Sequence, residues 1–258
     1  MGDTASQRSS SGSGSRDRMV VFLAFPFRPR DAWIKHSVPR LLTSWGYEVE
    51  MGAHFHGRPI GQSVAAAIGR AQLLVCFLMR CDKLAGTGWS TSDWVLQELG
   101  FARGRGIPVV VVRERSVRAN VGMLGDVQVI ELDPTAPFLA LLPLQATLRG
   151  LLPTPPQTAE IQVRHLAKPG AQQGSKQWWD FWTWIEGPAS LLDSITGVSY
   201  VFPRSFRPAL ETSTNRQAAF GNYGETDTDF DLRVKINFNA KPLKNLSYKV
   251  TLFRPGYD

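Results

Sequence analysis

The sequence predicts two structural classes in one chain: an α/β unit built on a parallel sheet, followed by an all-β antiparallel sandwich. Three observations lead there. In the first part, short and wholly apolar runs at 20–25, 73–79 and 107–112 alternate with segments of helical period, the pattern of strands covered on both faces and joined by crossover helices. From Lys176 onward the pattern becomes period-two and aromatic, with Gly, Pro and Asn at the turns, as in antiparallel strands of a sandwich. Between them, residues 153–175 are rich in Pro, Gln and Gly and hold no sustained period, which reads as a linker. The expected organisation is therefore a tail at 1–18, an α/β unit at 19–152, a linker at 153–175 and a β-sandwich at 176–258.

Residues 1–18 are mostly Ser, Gly and Arg with nothing to bury, so they are expected to be disordered. The run 20–25, bounded by Pro26, reads as the first strand. Ile34, Val38, Leu41 and Trp45 recur at helical spacing with Gly46 as a stop, and Pro39 is expected to bend that helix. A strand at 47–51 follows, then a loop at 52–59 carrying His54 and His56. Their i, i+2 spacing would suit a metal, but no third ligand stands nearby and no metal is expected. Ile60, Val64, Ala67, Ile68 and Ala71 form the next helical stripe, and 73–79 the central strand. A Gly-rich loop at 81–89 leads to a helix beginning near Ser90. Strands at 107–112 and 127–132 and a helix at 137–152, interrupted by Pro143, complete the unit. In the second part, strands are expected at 178–185, 195–202, 229–238 and 246–253. Glu225, Asp227, Asp229 and Asp231 alternate along one side of an extended segment; without an ordered calcium loop they read as a solvated edge.

Composition narrows the function. A chain of 258 residues with 43% hydrophobic residues is globular, its apolar runs are too short to span a bilayer, and no signal-peptide core opens it. A soluble cytoplasmic protein with no membrane partner is expected. Cys76 and Cys81 form neither a CxxC pair nor a zinc pattern. The net charge of +7 lies mostly in the first part, where residues 1–152 hold 17 basic and 12 acidic groups. Arg103, Arg105, Arg113, Arg115 and Arg118 cluster after the Ser90 helix, a solvated surface or a steering patch for phosphates. Nothing supports sequence-specific nucleic-acid binding. Neither GxGxxG nor a P-loop is present, so no bound cofactor is expected.

Glu98 is the anomalous residue. On a helix it has Trp94 and Val95 on one side and Phe101 and Ala102 on the other, an apolar face where a carboxylate is costly. Either a buried cation pairs with it, or it lines a pocket and is held for a ligand.

The order of the run 21–25, the Gly57 loop, Ile68 with Ala71, the strand ending at Met79, Trp94 with Glu98, and Ile107-Pro108-Val109 resembles the TIR domain family across residues 19–152. The resemblance implies a flavodoxin-like sheet and, as in NAD-cleaving members, a catalytic Glu98. Phe25 and Trp94 would be substrate-binding, NAD the substrate, and self-association would complete the pocket through the 52–59 loop. Ala24, Pro26 and Met79 depart from the family's usual residues. The second part resembles the YEATS family, closest to its prokaryotic branch, through Asp180 to Pro188, Ile195 to Pro208, Phe220 and Asp231 to Ile236. That likeness implies an immunoglobulin-like sandwich recognising an acylated or other small ligand through Trp184, Ser205, Phe206 and Tyr223, although Pro203 replaces the family's histidine. The rings could equally be sandwich core.

Two classes of function follow. One is an NAD-cleaving hydrolase controlled by a sensor domain, a pairing similar to prokaryotic immunity systems that deplete NAD on infection. The other is a non-catalytic signalling adaptor with a ligand-recognition module. A hydrolase of another nucleotide is a variant of the first.

Overall fold

The structure, a computed structural model, describes residues 19–52, 61–118, 125, 127–152 and 160–252. The 1–18 tail, the loop carrying His54 and His56, and residues 153–159 of the expected linker lie outside the described residues. The first part contains β1 (Val20–Ala24), α1 (Ala32–Ser44), β2 (Glu48–Met51), α2 (Gln62–Arg70), β3 (Leu73–Leu78), α3 (Asp93–Gly104), β4 (Val109–Glu114), β5 (Val129–Leu132) and α4 (Phe138–Leu151). Its five strands form one parallel sheet in the order β2-β1-β3-β4-β5. The chain moves from β1 outward to β2 and then crosses to β3 on the other side, so the order reverses between β1 and β3. In doubly wound sheets such a reversal opens a crevice at the carboxyl ends of the strands.

All six residues of β3 are buried because helices cover both of its faces. Val21, Leu23, Val75 and Phe77 meet α1 and α4 on one side, while Phe22, Ala24, Leu74 and Cys76 meet α2 and α3 on the other. Helix α1 runs through Pro39 and α4 through Pro143, so the expected interruption of α4 does not occur. The carbonyls each proline leaves without an internal donor belong to Lys35 and Leu139, both exposed, where water replaces the missing bond.

The second part holds β6 (Gln162–Gln173), β7 (Lys176–Glu186), α5 (Ala189–Leu192), β8 (Ile195–Val201), β9 (Leu210–Ser213), β10 (Asn222–Thr226), β11 (Phe230–Phe238) and β12 (Lys244–Val250). A three-stranded sheet β10-β7-β6 faces a four-stranded sheet β12-β11-β8-β9. Phe181, Val198, Tyr200, Phe220, Leu232 and Ile236 fill the space between them.

The linker expectation is corrected for Gln162–Gln173, which is the long edge strand β6, antiparallel to β7 from Gln162 opposite Glu186 to Gln173 opposite Lys176. Pro169 and Gly170, which disguised it, sit at a register shift between Pro169 and Gln172. An edge strand loses least from a missing N–H, and a bulge accommodates the kink.

Strand β7 is covered on both faces. Phe181 and Ile185 point into the sandwich, whereas Trp182 and Trp184 share a core with α1 and α4 of the α/β unit, together with Leu166 of β6 and Ala219. The Trp184 ring stacks on Phe138 with centroids 5.9 Å apart. Beside them the buried Glu186 carboxylate accepts hydrogen bonds from Trp45 Nε1 at 3.0 Å, Arg164 Nε at 3.0 Å and Trp184 Nε1 at 3.2 Å. The two parts thus share one apolar interior.

This packing predicts one cooperative thermal transition for the chain rather than two. Trp184→Ala is expected to cost about 3–5 kcal/mol, as for other buried tryptophans, and to lower the unfolding of both parts together in calorimetry. Separate transitions, with only the later one shifted, would contradict the shared interior.

Candidate functional site

Helix α3 carries the acid singled out in the sequence. It begins after Ser92, whose side chain makes no capping hydrogen bond to the helix. Ser90 Oγ is engaged by the backbone N–H of Asp82 at 3.0 Å instead, tying the preceding loop together. Asp93 remains in the first turn, where its charge favours the helix dipole.

Glu98 lies midway along α3, on the face turned to β1 and β3, and is 2% exposed. Trp94, one turn earlier, donates its indole N–H to Glu98 Oε1 at 2.8 Å. Among the described residues no cation lies within ion-pair distance of this carboxylate. Burial pushes its pKa up to about 7, against the opposing effect of the Trp94 hydrogen bond. Its charge also reaches the Cys76 thiol of β3, which burial first and Glu98 second push well above the ordinary range.

The carboxylate rests against Gly52, just past the end of β2. A Cβ on Gly52 would stand 2.7 Å from Glu98 Oε1, so only glycine lets the chain pass at this point. Sequence reading did not single out Gly52; a glycine closing a strand ahead of a long loop was the available signal. The same Cβ would also meet Phe22 and Val64 at 3.5 and 3.6 Å, so Gly52 sits among the hydrocarbon that α2 and β1 present to this face.

The expected partners of Glu98 divide. Trp94 is with it. Phe25 is not: it is 1% exposed, stacks on Phe27 with centroids 4.3 Å apart, and packs in the core shared with α1, on the opposite face of the sheet. Residues of β1 alternate between faces, so Phe22 and Ala24 face α3 while Phe25 shares the side of Val21 and Leu23.

A second buried acid, absent from the sequence reading, shows the paired case. Glu114 closes β4 fully buried and accepts from Arg30 Nη2 at 2.5 Å, Arg80 Nε at 2.6 Å and the Arg80 backbone N–H at 2.9 Å. Glu98 and Glu114 are both buried, and among the described residues only Glu114 has counter-charges.

In the sandwich, a cleft of about 460 Å³ opens beside β10. Ser205, Phe206 and Tyr223 line it, as do Phe181 and Phe202. Phe202 and Phe206 stack with centroids 5.3 Å apart, and Phe206 lies 4.8 Å from Phe230. Trp184, expected among the ligand-binding rings, is fully buried against Phe138 on the other face of β7 and does not reach the cleft. It stands three residues from Phe181, and odd spacing along a strand places the two on opposite faces. Of the four expected residues, the fold brings three together.

The walls also carry Glu211, Glu225 and Asp227, which sequence reading assigned to a solvated edge or did not single out. Tyr223 Oη lies 3.1 Å from both Asp180 and Glu225, and burial with those two carboxylates pushes its phenol upward. The one cation lining the cleft, Arg207, donates to the carbonyls of Arg204 and Phe206. Among the described residues no group of His, Cys, Asp and Glu is placed to hold a metal, and no helix is long and apolar enough to cross a membrane.

No family model and no curated protein matches the chain. Among solved structures, the YEATS domain of Yaf9 is similar at a TM-score of 0.29, with 13% identity over 38% of this chain and 79% of that one. The CMP N-glycosidase BcmB of Clostridium botulinum is similar at a TM-score of 0.32, with 18% identity over 48% of this chain and 98% of that one. A β-glucosidase from Listeria innocua aligns with 92% of this chain and 46% of its own at a TM-score of 0.33 and 12% identity. Likenesses this distant assign no activity.

The elevated pKa of Glu98 has a definite sign in stability. Between the ordinary carboxylate value of 4.5 and about 7, the folded chain holds a proton that the unfolded chain has released, so stability falls as pH rises through that window. Above it the loss is on the order of 3 kcal/mol. Glu98→Gln keeps the acceptor for Trp94 and removes the charge. Denaturation at pH 5 and pH 8 is expected to show the variant gaining stability over the parent chiefly at pH 8; an equal difference at both would mean that Glu98 is ionised without penalty.

Proposed function

We propose that the α/β unit is a TIR-like N-glycosidase acting on NAD or a related nucleotide, with Glu98 as its catalytic carboxylate, and that the sandwich is a YEATS-like module whose ligand controls it. The reading is carried by one observation: a buried carboxylate with no counter-charge among the described residues, oriented by an indole N–H and pressed against a glycine. A scaffold has no need for a group with this desolvation cost, whereas a site that must meet developing positive charge does.

Cleavage of the nicotinamide–ribose bond leaves the bonding pair on the pyridine nitrogen and an oxocarbenium-like centre at C1′. Nicotinamide departs neutral, water adds to C1′, and its proton passes to solvent. The ionised Glu98 would stabilise the positive centre and hold a ribose hydroxyl, as carboxylates do in glycoside cleavage. Trp94 would keep the carboxylate in one orientation. Because the acting form is the anion, the rate is expected to rise with pH through about 7. Trp94→Phe removes the hydrogen bond that lowers this pKa, so the rising limb is expected to move to higher pH. Nicotinamide release from NAD by the full chain, measured over a range of protein concentration because the TIR-like reading includes self-association, tests the proposal. Glu98→Gln is expected to abolish release while remaining folded; retained release would remove Glu98 from catalysis. The adaptor reading draws support from Phe25, whose place across the sheet leaves Trp94 as the only expected substrate-wall residue beside the acid.

For the sandwich, an apolar floor of stacked rings bordered by carboxylates suits a ligand with a hydrocarbon body and a positive end. An acylated lysine would use the rings alone. Fluorescence or calorimetric titration with lysine, methylated-lysine and acyl-lysine peptides is expected to favour the charged forms and to lose binding in Phe206→Ala. Preference for the acyl peptide would return the cleft to the uncharged ligand class.

A further inference from the structure

A smaller cavity of about 140 Å³ lies where α1 of the α/β unit meets β6 and β12 of the sandwich. Helix α1 contributes His36, Ser37 and Arg40, β6 contributes Arg164 and His165, and β12 contributes Tyr248. Neither part of the chain encloses it alone.

Among the described residues no carboxylate lines this cavity. Of the acids nearby, Glu186 accepts from Arg164, Trp45 and Trp184, and Asp229, whose charge reaches His165 and opposes that of Arg40, accepts from the Leu252 backbone N–H. Arg164 is neutralised and fixed by Glu186. Arg40, exposed on α1, has no ion partner among the described residues. Its field reaches inward: burial holds His165 below the usual imidazole range, and Arg40 acts in the same direction. The back wall is rigid, because His165 Nδ1 lies 2.7 Å from Tyr248 Oη and Nε2 lies 3.0 Å from the Thr251 carbonyl. With Nε2–H donating to that carbonyl, Nδ1 accepts from the tyrosine, and the neutral ring needs nothing further. A concave, pre-organised, hydroxyl-bearing pocket with net positive charge has the chemistry of an anion site.

We propose that this junction cavity binds the phosphate group of an anionic ligand, with Arg40 as the charged contact and walls supplied by both parts of the chain. Its volume equals about five waters, enough for one phosphate and too little for a nucleotide, whose remainder would extend into solvent. The phosphate could come from inorganic phosphate or from a nucleoside monophosphate. The proposal stands apart from Glu98 and does not require catalysis. Because the site spans the junction, occupancy would stabilise the two parts against separation by mass action.

The test is isothermal titration of the full chain with inorganic phosphate and, separately, with adenosine 5′-monophosphate, at constant ionic strength balanced by chloride. Saturable binding of at least one of them is expected, weakened about tenfold or more by Arg40→Gln. It is expected to be unchanged by Lys35→Gln, an equal loss of charge at an exposed position on the same helix. Circular dichroism confirms that both variants fold. Binding of both anions with the same Arg40 dependence shows that the phosphate group suffices; binding of the monophosphate alone assigns the site to a phosphoester. Failure of both to saturate, or equal weakening by the two variants, overturns the proposal.

Discussion

Strand β7 is buried on both faces, and the rest of the molecule is arranged around that burial. Phe181 and Ile185 belong to the sandwich, while Trp182 and Trp184 belong to the interior of the α/β unit. Large aromatic side chains bury on the order of 150–250 Å² each, so neither half could give up this contact without exposing a broad apolar surface. Their indoles bring polar N–H groups into the interior, and Glu186 meets that demand by accepting from Trp45 and Trp184. A lone buried carboxylate would be costly, and Arg164 at 3.0 Å from Glu186 supplies the counter-charge. The junction therefore combines apolar area with a satisfied polar network. It also explains the position of β6, which extends the same sheet beneath α1 and closes the junction cavity.

Glu98 and Glu114, which with Asp31 are the buried acids among the described residues of the α/β unit, show how compensation, more than burial, distinguishes a structural group from a candidate reactive one. Glu114 at the end of β4 draws Arg30 and Arg80 onto itself and so ties the loops after β1 and β3 to the carboxyl edge of the sheet. Glu98 receives one indole N–H and no charge. The unpaid desolvation appears as a pKa near neutrality, the range in which a carboxyl group can change protonation state under ordinary conditions.

Compensation also sorts the basic residues. The Arg cluster after α3 is largely engaged at the surface: Arg115 reaches Asp133 at 2.8 Å, Arg113 lies 3.5 Å from Glu131, and Arg105 sits over the Phe101 ring. These contacts fit a solvated face better than a steering patch, since exposed pairs contribute little to stability and are screened by salt. Arg40, at a concave surface, has no ion partner among the described residues, and no charge count along the sequence sets it apart from the others.

Local physics was legible in the sequence. Apolar runs and helical stripes are set by neighbours a few residues away, and they marked all five strands and the helices of the α/β unit, the aromatic strands β7, β8 and β11, and the cost of placing Glu98 on an apolar face. Ser205, Phe206 and Tyr223 were legible as a group through their resemblance to a known pattern, and the fold places them on one cleft. What tertiary structure alone decided was who covers whom. Whether Trp184 faces a ligand or a helix depends on α4 arriving against β7, an event of long sequence separation that period-two alternation does not record. Strand β6 was hidden because Pro169 and Gly170 carry the composition of a loop, while β7 alone supplies the hydrogen bonds that make it a strand. Phe25 was separated from Glu98 by the alternation of β1, and Arg30 and Arg80 were drawn together on Glu114. Periodicity is written in the chain, but the charge or surface that meets each side chain is chosen only when distant segments pack.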